Sequence, residues 1–455
     1  MSNLHRPPGR ALKAYKRRAF FALLIVALWL SPVTSPAQEE ALDVQATIDA
    51  YARWVTSQGK WAGPTTTFPD TRPRPRPLPI TLRSAMAPLA VHASEQTGLA
   101  RAQRALAALE HAHTLSFEHG WPLPYPDGGL GGGPELDLYL LDDLPRDALA
   151  AADQPIHWAA QDATASHALV DARVPEARLE ACVLSAFLQA ALLGQDPAEP
   201  EVFRRASALY AQWQLLGAAG CEAERSDGLH RPEAGLFDSS TASEAATAWL
   251  LSEIAGRHDG ASGRLLRELW QLARQRSESL ARLRASPNLL EAIALALRNA
   301  GETFDDAVVD FASARARSAE SPRTIEARPY LKLPQHLPVH EPGLRPYGSA
   351  YTRIDMTGAK PGERLDVWLR GENGVRWSLV AQRRDRYGRG LGSVAAPPRK
   401  VPRAFIPLEL DDRTAEVWLI VTALPAEPET LPTHEHAHHF RLILDRKAGS
   451  RDAVR

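Results

Sequence analysis

The spacing of apolar residues switches from helical to strand-like part-way along the chain, and that switch constrains the fold more than any other feature. Between Pro175 and about Ser318 apolar residues recur every three to four positions, so 176–193, 200–216, 240–256, 263–277, 287–299 and 305–317 are expected as helices. From 347 to 446 the period becomes two, as in Leu365/Val367/Leu369, Trp377/Leu379, Val417/Leu419/Val421 and Phe440/Leu442/Leu444. Lys360-Pro361-Gly362 and Glu372-Asn373-Gly374 read as turns between these runs. About seven short strands in a hundred residues predict a β-sandwich. Pro322, Pro329, Pro334, Pro338, Pro342 and Pro346 fall between the two regimes and read as an interdomain linker.

Upstream of the helices, Ile80-Thr81-Leu82-Arg83 is expected as a short strand. Residues 94–119 follow as a helix, with Ser94 as N-cap and Gly120 as its stop. Residues 136–141 and 166–174 read as strands, and Pro175 is expected at the first position of the next helix. The glycines at 128–133 precede a strand and do not join a strand to a helix, so they do not form a phosphate-binding loop. The expected class is α+β: an α-rich domain with a small sheet over 80–320, a Pro-rich linker over 321–346, a sandwich over 347–447 and a tail over 448–455. A Pro-rich polar segment, 38–79, ends in Thr71-Arg72-Pro73-Arg74-Pro75-Arg76-Pro77. Alternating proline forbids a helix there and reads as a stiff spacer or, alternatively, a basic proline-rich ligand.

Arg6, Arg10, Lys13, Lys16, Arg17 and Arg18 precede an apolar run from Ala19 to Leu30 and the small residues Ser35-Pro36-Ala37. This is the pattern of a signal peptide over 1–37, and the apolar run is too short to span a bilayer. Arg17-Arg18-Ala19-Phe20-Phe21 also partly matches a twin-arginine signal, which directs folded export. No later stretch reads as long enough to cross a membrane. The expected location is therefore periplasmic, cell-surface or extracellular. The formal charge of −1 and pI near 7.0 give no electrostatic basis for nucleic-acid binding. Two cysteines, Cys182 and Cys221, are too few for a disulfide-rich scaffold or a Cys-based zinc finger. They can pair with each other, closing a loop of about forty residues worth about 3–4 kcal/mol, or stay as buried thiols.

Leu109-Glu110, Gly120-Trp121-Pro122, Pro126-Asp127-Gly128, Leu136-Asp137-Leu138-Tyr139-Leu140 and Asp171-Ala172-Arg173-Val174-Pro175 occur in that order, followed by an apolar helix, a helical lobe and a sandwich. This layout resembles secreted bacterial metalloproteases that pair a zincin-like domain with a C-terminal β-domain. In that family the helix after the D-x-R-x-P strand carries H-E-x-x-H, two zinc-binding histidines on one helix face with the general-base glutamate between them. The resemblance places Ser185 and Gln189 at the two histidine positions, Ala186 at the base and Arg205 at the third ligand, a glutamate. Histidine is absent between His167 and His230. The resemblance implies a protease-like fold that has lost its zinc motif and binds a protein or peptide, with no cofactor.

A second motif competes. His434-Glu435-His436-Ala437-His438-His439 formally contains H-E-x-x-H. Pro432 before it and the alternating Phe440–Leu444 after it favour an extended chain. In that form His434, His436 and His438 share one face, which can hold a surface metal such as zinc, and Glu435 points the other way. A metal-dependent hydrolase using 434–439 is the alternative function. Carbohydrate or cell-surface binding through the sandwich is a third, with Trp368 and Trp377 as a platform. Trp213, Trp249, Trp270, Tyr210 and Phe311 sit on apolar helix faces and read as core.

Overall fold

A computed structural model describes residues 73–156, 161–217, 220–221, 230–238, 240–259, 262–274, 287–318, 322–399, 401–428 and 436–448, and the backbone of 65–67 and 282–284. The expected signal peptide, His434 and Glu435 lie outside these residues. The chain is α+β, with helices gathered in its first part and two packed sheets in its last. Strand β1 (Thr65–Thr67) pairs with β7 (Arg282–Arg284).

The first large sheet contains β2 (Ile80–Arg83), β3 (Leu89–Ala93), β4 (Leu136–Leu141), β5 (Ala148–Pro155) and β6 (Thr164–Asp171), in the order β2-β3-β4-β6-β5. β3, β4 and β6 are parallel, and the edge strands β2 and β5 run antiparallel to their neighbours. Helix α1 (Leu99–Glu118) connects β3 to β4, and α2 (Glu176–Gln195) follows β6. Leu89, Val91, Leu138, Leu140, Ala168 and Val170 point to the helices and share one core with Leu109, Leu184 and Phe187. Alternation along the strands sends His92, Asp137, Tyr139 and His167 to the opposite face.

Helices α3 (Glu201–Leu216), α4 (Thr241–His258), α5 (Arg264–Ala273), α6 (Leu289–Asn299) and α7 (Phe304–Ala316) extend that core. Their starts are chemically marked: Ser240 caps α4, Thr303 caps α7, and Asn288 and Glu291 form a capping box on α6. Two local expectations change. Helix α1 starts at Leu99 behind Gly98 at φ 82°, because the Ser94 hydroxyl closes an earlier turn on Thr97 N. Pro175 is the N-cap of α2, one place earlier than expected.

Helix α2 also corrects the reading that nothing after the leader is long enough to cross a membrane. Within its 20 residues an 18-residue window reaches a mean hydropathy of 1.4, long and apolar enough by length and composition. Here that apolarity is spent on the core, with 78% of the apolar window buried.

The last part packs β13 (Gly390–Arg399), β12 (Val375–Arg384), β15 (Glu416–Pro425), β10 (Ser349–Asp355) and β8 (Thr324–Glu326), in that order, against β14 (Arg403–Glu409), β11 (Arg364–Gly371), β16 (Phe440–Lys447) and β9 (Gln335–His336). Leu365, Val367, Leu379, Leu419, Val421, Leu442 and Leu444 fill the space between the sheets. The Pro-rich stretch expected as a linker is part of this fold. β8 and β9 form one outer strand of each sheet, and Tyr330, Leu337 and Leu344 are buried in the sandwich core. Proline suits such edge strands, which need only one row of ladder bonds.

Candidate functional site

The positions that the family resemblance singles out lie on α2 and α3. Asp171 ends β6 by accepting the Arg173 backbone N–H at 2.7 Å and binding the Arg173 guanidinium at 2.9 and 3.1 Å. That clasp holds the Asp171 carboxyl below its ordinary range and turns the chain into α2. Ser185 and Gln189, four residues apart, share a helix face, and the Gln189 amide donates to the Ser185 hydroxyl at 3.2 Å. Ala186 beside them is fully buried. The arrangement offers a hydroxyl and an amide, with no imidazole or carboxylate on that face of the helix.

Arg205 on α3 is buried and held by carboxylates. Glu201 lies 2.7 Å away, one turn earlier, and Glu244 of α4 lies 3.7 Å away while also binding Arg146 at 3.0 Å. Burial works to raise the Glu201 carboxyl, but Arg205, with Arg204 and Arg146, holds it low. The position that the resemblance aligns with a third metal ligand thus carries a guanidinium whose charge is met by carboxylates.

Cys182 of α2 and Cys221 are joined in a disulfide. Asp147 lies close enough to their sulfurs to suggest a metal cluster, but bonded sulfurs have no thiolate to offer. Gln212 secures the same junction, donating to Ala181 O and accepting Cys221 N–H at 3.2 Å.

The histidine segment is not helical where it is described. His438 and Leu344 exchange both backbone hydrogen bonds at 2.8 Å, and the chain runs directly into β16. The helix required by H-E-x-x-H is therefore absent among the described residues. The structure instead brings His436 and His438 together, ring centroids 5.2 Å apart, with Glu372 from the β11–β12 turn beside them. Glu372 carried no signal in sequence beyond its place in a turn.

No protein-family model matches the chain, and no curated protein matches it. Among solved structures, the active domain of tailspike protein 4 from bacteriophage CBA120 is similar at 9% identity and a TM-score of 0.16, over 22% of this chain and 14% of that one. At that score the likeness says nothing about fold.

No local pattern announces the charged cluster on the sheet face away from the helices. Residues 73–79 cross that face, placing Leu78 against Tyr139, Leu149 and Leu169. Arg74 grips Asp153 through two bonds of 2.9 and 2.7 Å, meets Asp127 at 2.7 Å and also binds Asp137. His92 Nε2 lies 2.8 Å from Asp137, with its Nδ1 3.1 Å from the Thr81 hydroxyl, and His167 Nδ1 lies 2.8 Å from Asp153. Burial works to raise Asp137 and Asp153, yet His92, His167 and Arg74 together hold both low. Burial pushes Asp127 the other way. The cluster anchors the Pro-rich segment, which corrects the reading of its last residues as a free spacer or ligand.

The sandwich tryptophans divide. Trp377 is core, its indole N–H bonded to Glu372 O at 2.9 Å, and an added Cβ on Gly371 would come within 2.3 Å of the ring. Trp418 is buried under the Arg384 guanidinium, 4.1 Å from its ring centre. Trp368 alone of the three faces outward, stacked on the exposed Phe405 at 5.1 Å. One row along, Arg403, Arg370 and Arg441 are cross-strand neighbours on the same face. All three are exposed, with no carboxylate partner among the described residues.

Proposed function

We propose that the chain is an exported, non-catalytic relative of secreted metalloproteases that binds a protein or peptide. The leader pattern and the disulfide support export. One observation carries the non-catalytic reading: the face of α2 that would hold zinc presents the hydrogen-bonded Ser185–Gln189 pair. Neutral hydroxyl and amide groups are poor zinc ligands, and Ala186 cannot take a proton. Among the described residues β5 stands at one end of the first sheet, and an extended peptide can add to such an edge. The chain lacking residues 1–37 is expected to leave casein-derived peptides uncut while binding them, with slowed hydrogen exchange at β5 amides. Chelator-sensitive cleavage of those peptides would overturn this reading.

A second reading rests on the outward face of the sandwich. The Trp368–Phe405 stack can pack against sugar rings, and Arg403, Arg370 and Arg441 can bind carboxylates along the same strands. An acidic polysaccharide fits both features. Binding of alginate or pectate is expected to fall about tenfold or more in Trp368→Ala and in Arg370→Ala/Arg441→Ala, since each lost charge-assisted contact removes about 1.5 kcal/mol or more. Equal binding of neutral dextran would sink it.

A further inference from the structure

We propose that Glu372, His436 and His438 bind one divalent transition-metal ion of the zinc, nickel or copper kind. A ligand atom of each residue lies within 4.8 Å of those of the other two. The three come from segments far apart in sequence that the sheet makes neighbours, since Gly371 and Phe440 pair across β11 and β16 and the turn and the histidines lie just beyond. In extended chain His436 and His438 fall on one side and Ala437 on the other, so two imidazoles meet one carboxylate. Two nitrogen donors and one oxygen suit zinc and its neighbours, whereas calcium and magnesium prefer oxygen alone.

Glu372 and His438 are also held by contacts around them. Glu372 Oε2 accepts the His439 backbone N–H at 2.9 Å, which leaves Oε1 for an ion. Gly374 has φ 96°, and a Cβ there would lie 3.2 Å from His438 Cε1, so the turn fits against the ring because this residue is glycine. Such outer contacts fix ligand orientation and raise metal affinity. The ligands are partly or fully exposed, which gives an ion a way in, and three protein ligands leave a coordination position for water or another group. The proposed ligands do not include Glu435, the base position of the H-E-x-x-H pattern, which separates the proposal from a protease motif. It is also independent of the reading of α2.

The test is equilibrium dialysis of zinc, with magnesium as control, on the untagged chain lacking residues 1–37. One zinc per chain at micromolar affinity is expected, with no magnesium binding. His436→Ala and His438→Ala should each weaken zinc about thirtyfold or more, and the isosteric Glu372→Gln about tenfold, in line with losses seen even for outer-shell partners. Circular dichroism of each variant confirms that it is folded. Zinc binding unchanged in Glu372→Gln but lost in His434→Ala would overturn the assignment in favour of the contiguous histidine run. No zinc binding below about 100 μM, weaker than about 5.5 kcal/mol, would overturn it outright, as would equal affinity for magnesium.

Discussion

Arg74 shows how much a single side chain can hold. Its guanidinium is the cation that meets Asp127, Asp137 and Asp153 on a covered sheet face. Removing one partner from a buried ionic network leaves uncompensated charge, so Arg74→Ala should cost about 3–5 kcal/mol at pH 7. The pH dependence follows from the two depressed carboxyls. Asp137 and Asp153 stay ionised in the folded protein below the pH at which they would protonate when unfolded. Their stabilisation is complete above about pH 4 and fades as pH falls through the folded values. The variant loses the favourable term and keeps three carboxylates that are relieved only by protonation. Its deficit in urea unfolding should therefore shrink as pH is lowered from about 5 to about 2. A deficit constant over that range would mean that Arg74 contributes through its hydrocarbon stem alone.

At the scale of elements, legibility tracks burial. The helices of the first core and the inner strands of the sandwich announce themselves because each buries one face or one stripe, which leaves a period in the sequence. Strands β3 and β5 leave none. Leu89-Ala90-Val91-His92-Ala93 is buried throughout, and Ala148-Leu149-Ala150-Ala151-Ala152 is rich in the best helix former, so position in the sheet overrides propensity. The prolines of 322–346 signal irregular chain correctly but say nothing of the edge strands they border. The candidate sites divide in the same way. Ser185 and Gln189 were legible as neighbours because four residues of helix fix their spacing, and His436 and His438 because two residues of extended chain do. Glu372 beside those histidines, and Arg74 among three aspartates, depend on strand pairing and chain crossing that no local pattern encodes.

For the molecule as a whole, the helical core and the sandwich are joined by buried polar contacts as well as by packing. Arg376 of β12 binds Asp305 at the start of α7, with one bond of 3.1 Å, and Tyr351 OH donates to Ala312 O at 3.0 Å. Tyr347 leaves the sandwich at φ 65° and packs edge-on to Phe237 and Phe304 in the helical core, 5.1 and 5.7 Å away. Arg345 meets Asp238 at 2.6 Å. These ties predict a single calorimetric unfolding transition for the whole chain. Asp305→Ala should cost about 3–5 kcal/mol by leaving Arg376 buried and unpaired, whereas Asp305→Leu with Arg376→Met should cost much less. Two resolved transitions in the unaltered protein would show that these contacts do not couple the two cores.

On the proposed export, helix α2 carries a consequence for biogenesis. A chain threaded unfolded through a translocon presents residues 176–195 to the lateral gate that sorts stop-transfer segments into lipid, and it does so before any core exists to claim them. Ser185 and Gln189 then weigh against lateral escape, because each must give up water to enter hydrocarbon. Only a route that carries the protein already folded, as the twin arginines at 17 and 18 would direct, spares the segment that choice.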